Sequence, residues 1–289
     1  MPGESLILRE LQAFAEEKNL EVRQGQKEAL ISNIVSSGEA QTVASYIVDC
    51  LTNAVQSIGE KGFAASLDDP DLVADWLEIA YGSLHAEADF TAYMPPLARL
   101  LVIERKERDK SKAELYVQYR AAALMDELLA LDVPLSEEAQ SLLQKDYFIS
   151  DVPTEEVNSQ IWWRMADRGI DISRHIPTLI TLVQNDETPT LANNCILALW
   201  AAVRGGFFDS PIPNSEKTYN VWLWSLVTCC VTKLRSRYEE TTRLGAVGCL
   251  LEASQKYPQT QSLILECMEK WGIKEPKRPR GDFQLDLRD

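Results

Sequence analysis

The sequence predicts an all-α protein of about thirteen helices stacked in pairs. Apolar residues recur at steps of three and four along nearly all of the 289 residues, and almost no segment alternates as strands do. The segments 94–101 and 176–183 share one design: apolar, Pro, any residue, Leu, small or apolar, polar, apolar, apolar. They begin 82 residues apart, about two units of a repeat near 40 residues, and such repeats are typical of stacked helical arrays.

Four helices are predicted in the first ninety residues, at 4–18, 25–37, 39–59 and from about 70 to 81. The start of the fourth is marked by Asp68-Asp69-Pro70-Asp71. Aspartate is a good N-cap, proline suits the first turn, and acidic side chains complement the helix dipole. This segment therefore predicts a helix that carries Leu72, Val73, Trp76, Leu77 and Ile79.

The remaining helices follow from the same periodicity. They are a pair over 95–131 joined by the charged stretch 104–114, a short helix from Pro134, a helix over 153–168, a pair over 173–205, and three helices at about 217–236, 238–256 and 258–272. Gly205-Gly206 is expected to stop the second pair, and the next ten residues are the clearest long loop. We expect residues 1–272 to form one helical-repeat domain, subdivided near 85–93 if at all, and 273–289 to form an extended or disordered tail.

Small residues at a helical step follow both of the matching segments. Ala198-Leu199 and Ala202 follow Ile176-Pro177, Ala121 to Leu124 follow Met94-Pro95, and residues 246–253 form a weaker third copy. Small residues let one helix pack closely on another, and the leucines fill the shared core. These residues resemble the armadillo and HEAT family of α-solenoids, in which an Ile-Pro-x-Leu-Val-x-Leu-Leu helix precedes an Ala-x-x-Ala-Leu helix.

The resemblance covers 94–131 and 174–206 well and 238–256 less well, and the stretch 132–173 lacks the Ile-Pro signature. It implies a right-handed α-solenoid of stacked helix pairs with a concave face that receives an extended peptide or another helix. Trp200 falls near the position of the family's groove ladder, but no Asn lies beside it as in peptide-binding members. The resemblance therefore implies a binding surface and not the classical recognition of nuclear signals.

Charge is distributed unevenly along the chain. The net charge is −15, and residues 1–90 carry 16 acidic and 5 basic side chains. An acidic chain repels phosphate backbones, which disfavours broad nucleic-acid binding. The acidity of the N-terminal part has two interpretations, which are plain solubility and a face for a basic partner.

Location is predicted from what the sequence lacks. No apolar run reaches the roughly 18 residues that span a bilayer, and the N-terminus does not read as a signal peptide. The six cysteines lie among apolar residues, as reduced core cysteines do. We expect a cytoplasmic protein, with a nuclear location as the alternative if the basic residues 274–280 act as an import signal.

Catalytic and metal sites are not expected. The two histidines, His85 and His175, are ninety residues apart, which disfavours a His-based metal centre or a catalytic triad. Glycine-rich nucleotide motifs are missing, so no cofactor is predicted. An enzyme would need a polar pocket with a perturbed carboxylate, which a sequence cannot show.

The predicted function is therefore that of a non-enzymatic scaffold, adaptor or assembly factor that binds a protein partner. One ring of Trp162-Trp163 is expected to point away from the core unless both are buried, and Trp200 and Arg204 are further candidates for the contact. Trp222 and Trp224 are expected in the core. The alternative is a nucleic-acid-associated protein of viral or repair type that uses segments 99–120 and 274–280. Its contact residues would be Arg105, Lys106, Arg108, Lys277 and Arg278.

Overall fold

A computed structural model describes residues 5–61, 69–84, 86, 88–102, 112–144, 152–185, 188–209, 219–235, 238–270 and 272. Within these ranges the chain is all-helical, with 82% helix, thirteen α-helices and no strand. The predicted all-α class and the helix number are thus confirmed.

The helices alternate with short connections along the described ranges. They are α1 Leu6–Glu16, α2 Leu20–Ser37, α3 Ala40–Lys61, α4 Pro70–Gly82, α5 Met94–Leu101, α6 Lys112–Ala130, α7 Glu137–Leu143, α8 Val152–Asp167, α9 Ile176–Asn185, α10 Pro189–Gly205, α11 Tyr219–Lys233, α12 Glu240–Lys256 and α13 Thr260–Lys270. Short 3₁₀ turns lead into α5 and α9.

Local capping explains several of these boundaries. The Asp69 side chain caps α4 by accepting a hydrogen bond of 2.8 Å from the backbone N–H of Leu72, and Pro70 opens the helix as predicted. Gly206 ends α10 with φ of 79°, a left-handed conformation that favours glycine. Helix α2 begins five residues before its predicted start, because Asn19 caps it by accepting from the N–H of Glu21 at 3.0 Å.

The chain divides into two compact units, Met1–Ile170 and Asp171–Asp289. In the first unit the odd helices α1, α3, α5 and α7 pack in sequence, as do the even helices α2, α4, α6 and α8. In the second unit the corresponding series are α9, α11 and α13, and α10 with α12. Each described helix therefore packs mainly on the helices next to it and next but one along the chain. The single domain over 1–272, its subdivision near 85–93 and the tail stay predictions.

Aromatic rings occupy the core of the first unit near its N-terminal end. The Trp76 ring of α4 lies 5.5 Å from the Phe14 ring of α1 and 5.7 Å from the Tyr46 ring of α3, between ring centroids. Phe14 and Trp76 are both buried. These rings join α1, α3 and α4, so an apolar core holds the first two helix pairs together.

In the second unit, the expectation that both α11 tryptophans lie in the core is wrong for one of them. Trp222 is buried, whereas the Trp224 side chain is 52% exposed. Residues two apart on a helix point about 200° apart, so the two rings cannot share one buried face. The apolar run of α11 therefore continues onto the surface.

Helices α10 and α12 pack closely because α12 presents glycine at the contact. A Cβ atom added at Gly248 would lie 2.6 Å from the ring of Trp200, and one at Gly245 would lie 3.2 Å from the side chain of Ile196. These glycines let the two helix backbones approach each other more closely than larger residues would allow.

Replacing Gly248 with alanine is expected to lower the free energy of unfolding by up to about 2 kcal/mol. The overpacking penalty of about 1–3 kcal/mol exceeds the roughly 1 kcal/mol that alanine gains in helix propensity. Gly25 of α2 is the matched control, because a Cβ there meets nothing within 4 Å. Gly25→Ala should therefore stabilise the protein in the same urea titration. Equal effects of the two substitutions would contradict the packing described for Trp200.

Candidate docking surface

Two cations lie on the buried face of α2. Positions 23, 27, 30 and 34 form this face, where Leu30 and Ile34 are buried alongside Arg23 and Lys27, which are 2% and 5% exposed. A charge taken out of water costs several kcal/mol unless it is paired. Partners for these cations must therefore come from a neighbouring helix.

Helix α4 supplies those partners. The Asp75 carboxylate lies 3.3 Å from Nε of Arg23 and 3.0 Å from Nζ of Lys27. One turn further along α4, the Glu78 carboxylate also contacts Lys27. The N-cap Asp69 adds a longer pair of 3.6 Å with Arg23. The contact between α2 and α4 therefore includes an ion network.

Glu78 extends the network to α6. Its carboxylate accepts a hydrogen bond of 2.6 Å from the Tyr116 hydroxyl and lies 2.8 Å from the Arg120 guanidinium. That guanidinium lies over the rings of Tyr116 and Tyr119, 4.8 and 5.8 Å from their centroids. Cation–π contacts of this kind fix the orientation of the aromatic rings.

A second ion pair joins α6 to α8. Arg164 donates to the Asp126 carboxylate, and its guanidinium lies 5.3 Å from the centre of the Trp163 ring. Tyr81, near the end of α4, is 48% exposed. Burial and the neighbouring carboxylates of Glu127 and Asp126 raise the pKa of the Tyr81 hydroxyl. Tyr81 therefore lies near the carboxylates of α6.

The residues of these contacts lie along α4, α6 and α8, and together we call them the charged–aromatic row. It consists of Glu78, Tyr81, Tyr116, Tyr119, Arg120, Asp126, Trp163 and Arg164. Tyr81 and Tyr116 are exposed, and the other members are half-buried. Tyr, Trp and Arg are the residues that most often dominate the binding energy of protein interfaces.

The pKa values of groups in the row, and of Lys27 beside it, follow from their contacts. Burial opposes the charge of Lys27, but hydrogen bonds with Glu78 and Asp75 outweigh it and raise the pKa of the ammonium. For Glu78, burial is likewise outweighed by the Lys27 and Tyr116 hydrogen bonds, and the pKa of the carboxyl is lowered. At Asp126, burial prevails over the pairing with Arg164, and the pKa is raised. The balance between burial and pairing therefore differs along the row.

The structure separates the two adjacent tryptophans proposed as contacts. Trp162 is 2% exposed and belongs to the core, whereas Trp163 is half-buried and lies in the row beside Arg164. Residues next to each other on a helix point about 100° apart, which explains the difference. Only Trp163 is therefore accessible to a partner.

The other predicted contact residues are not members of the row. Trp200 is half-buried and covers Gly248, and Arg204 is exposed near the end of α10, where its carbonyl oxygen accepts a hydrogen bond of 2.6 Å from Lys256. Both belong to the second unit. The remaining candidates, Arg105, Lys106, Arg108, Lys277 and Arg278, lie outside the described residues.

Most of the row was missed by sequence analysis. The sequence does contain a signal for the two buried cations that pair with α4. Arg23 and Lys27 share a helical face with Leu30 and Ile34, and cations in such positions require partners. No comparable signal shows that residues of α4 meet Tyr116 and Arg120 of α6, which are about 40 positions away in sequence.

The described ranges hold neither a metal-binding cluster nor a membrane-spanning helix. They contain no group of three or more His, Cys, Asp or Glu side chains placed to hold a metal ion. None of the helices in the same ranges combines the length and the apolarity needed to cross a membrane. No protein-family model, curated protein or solved structure matches the chain.

Proposed function

We propose that this protein is a non-enzymatic scaffold or adaptor whose charged–aromatic row binds a protein partner. The observation that carries the proposal is the row itself, in which partly exposed Tyr, Trp and Arg side chains of three successive even helices are held in place by ion pairs. Side chains fixed before binding lose little conformational entropy when a partner docks. The location we propose is cytoplasmic, with the nucleus as the alternative.

The packing within each unit supports an α-solenoid of the armadillo or HEAT type as the scaffold. Helices pack in sequence pairs such as α5 with α6 and α9 with α10, and also on the helix next but one, so that pairs of helices follow one another in two series. This is the contact pattern of helical repeats, which offer broad surfaces for macromolecules. In such an arrangement one series of helices forms the binding face, and the row lies on the even series of the first unit.

Charge pairing favours a protein over a nucleic acid at the row. Arg120 is paired with Glu78, and Arg164 with Asp126. A surface that binds phosphates needs cations that are not already neutralised by carboxylates. The alternative function, association with nucleic acid through segments 99–120 and 274–280, depends mostly on residues outside the described ranges.

The test is to capture partner proteins from a lysate of the source organism on the purified protein. The capture is done at low and at high salt, and with and without nuclease. We expect a discrete protein that survives high salt and nuclease and is lost with the Tyr81→Ala/Tyr119→Ala variant. Trp224→Ala is the matched control, because Trp224 is 52% exposed and lies outside the row. Circular dichroism establishes that each variant is folded.

Two outcomes would count against the proposal. Retention that disappears with nuclease or moderate salt would favour nucleic-acid binding, whose affinity falls steeply with salt. A protein partner that both variants retain equally would place the binding surface elsewhere on the chain.

A further inference from the structure

A cleft of about 250 Å³ opens between α1 and α2, away from the charged–aromatic row. Its floor consists of Phe14 and Leu30, which are 1% and 5% exposed. Its walls are two parallel lines of side chains: Glu10 and Ala13 from α1, and Gln26, Ala29 and Asn33 from α2. Because alanine side chains are small, Ala13 and Ala29 leave the cleft open above this buried apolar floor.

A hydrogen bond and a short link keep the two walls of the cleft close together. Asn33 donates a hydrogen bond of 3.3 Å to the Glu10 carboxylate across the cleft. The link between α1 and α2 has only three residues, and its Asn19 caps α2. Short links and direct packing make the helices antiparallel neighbours. The cleft is therefore formed by the direct packing of α1 on α2.

Exposed apolar side chains extend the cleft at both ends. Leu6 lies one turn before Glu10 on the same face of α1 and is 70% exposed, and Val22 lies one turn before Gln26 on α2 and is 41% exposed. Among the ten large apolar or aromatic side chains exposed in the described residues, these two lie next to the cleft. Exposed apolar surface concentrated around a cleft marks a binding site.

The shape of the cleft favours a helix as its occupant. Helix α1 has 11 residues, which corresponds to a length of about 16 Å or three turns. An amphipathic helix places apolar anchors at i, i+3 or i+4 and i+7 into such a groove. The volume of about 250 Å³ is below the roughly 300–1,000 Å³ of small-molecule sites. It suits the anchoring side chains of a helix better than a whole small ligand.

The charge on the surface of α1 and α2 indicates which kind of helix the cleft would bind. Five glutamates lie within residues 6–37, whereas the cations of this range are Arg9, Lys18 and the buried pair Arg23 and Lys27, which α4 already neutralises. The exposed surface of the helix pair is therefore acidic. Docking a second copy of the same surface would bring like charges together, which opposes self-association. We infer that this cleft binds a basic amphipathic helix of a partner protein.

The test uses a synthetic peptide as the probe. A fluorescent peptide with Leu on one helical face and Lys on the others is titrated with the full-length protein, and fluorescence anisotropy is measured. A peptide of the same composition in scrambled order has the same charge but no apolar face. We expect the amphipathic peptide to bind at least about tenfold more tightly than the scrambled one.

Site variants locate the binding. Ala29→Trp fills the cleft without changing the charge and should weaken binding by about tenfold or more. Gln24→Trp is the matched control, because Gln24 is exposed on the opposite side of the same helix and is not part of the cleft. Circular dichroism and the urea midpoint show whether both variants keep the fold.

Three results would each overturn the inference. Equal binding of the two peptides would mean attraction by charge alone. Equal binding by the wild type and Ala29→Trp would place the peptide elsewhere. A wild-type dimer in sedimentation experiments that Ala29→Trp dissociates would make a second copy the occupant of the cleft. Because this cleft and the row are different surfaces, none of these results bears on the proposed function.

Discussion

Replacing Asp75 with alanine should lower the free energy of unfolding of the first unit by about 3–5 kcal/mol, the cost of breaking a buried ion pair. The Asp75 carboxylate pairs with both Arg23 and Lys27, whose side chains are only 3% and 6% exposed. Among the described residues, removal of Asp75 leaves Arg23 with the 3.6 Å pair to Asp69 and Lys27 with its pair to Glu78. Urea unfolding followed by tryptophan fluorescence measures the loss.

A surface ion pair provides the matched control. Arg99 and Glu138 join α5 to α7 and are 38% and 46% exposed, so Glu138→Ala should cost no more than about 1 kcal/mol. The double variant Lys27→Met/Asp75→Leu should lose less stability than the sum of its single changes, because it leaves one buried charge fewer without a partner. Similar losses for Asp75→Ala and Glu138→Ala would show that the network is not shielded from water.

The adjacent tryptophans of α8 should behave in opposite ways. Trp162→Ala should lower the free energy of unfolding by about 3–5 kcal/mol, because it removes a large side chain that is 2% exposed. Trp163→Ala should change stability much less, since its ring is half-buried against Arg164. It should instead weaken retention of the protein partner, which capture experiments on the two variants measure.

The comparison is internally controlled, because both substitutions remove the same side chain from the same helix. Stability is measured first, and partner capture is then compared at a temperature where both variants are folded. If Trp163→Ala retains the partner as well as the wild type does, the α8 end of the charged–aromatic row takes no part in binding.

The helices could be predicted from the sequence because their signals are local. Asp69 and Pro70 at the start of α4, and Gly206 after α10, specify caps through their own conformational preferences. The early start of α2 was missed, because Asn19 precedes an Arg and a Lys that interrupt the apolar pattern. Periodicity fails where a charged side chain is buried, since its pairing partner lies on another helix.

The candidate surface could be predicted only in part, for a related reason. Trp163 was among the expected contacts, but the sequence cannot decide which of two neighbouring indoles faces the core. The contact of Glu78 with Tyr116 joins positions 38 residues apart, and no local pattern connects them. Side-chain pairing between helices depends on rotation and register, which the packing of the whole unit determines.

The sequential packing of the helices has a consequence for biosynthesis. Within each unit, every helix after the first finds partners among helices that precede it in the chain, so packing need not wait for distant segments. Contacts between segments close in sequence form quickly, and chains generally fold from the N-terminus as they are synthesised. Once α4 has emerged from the ribosome, Asp75 and Glu78 can pair with Arg23 and Lys27, which would neutralise these two cations before α6 has emerged.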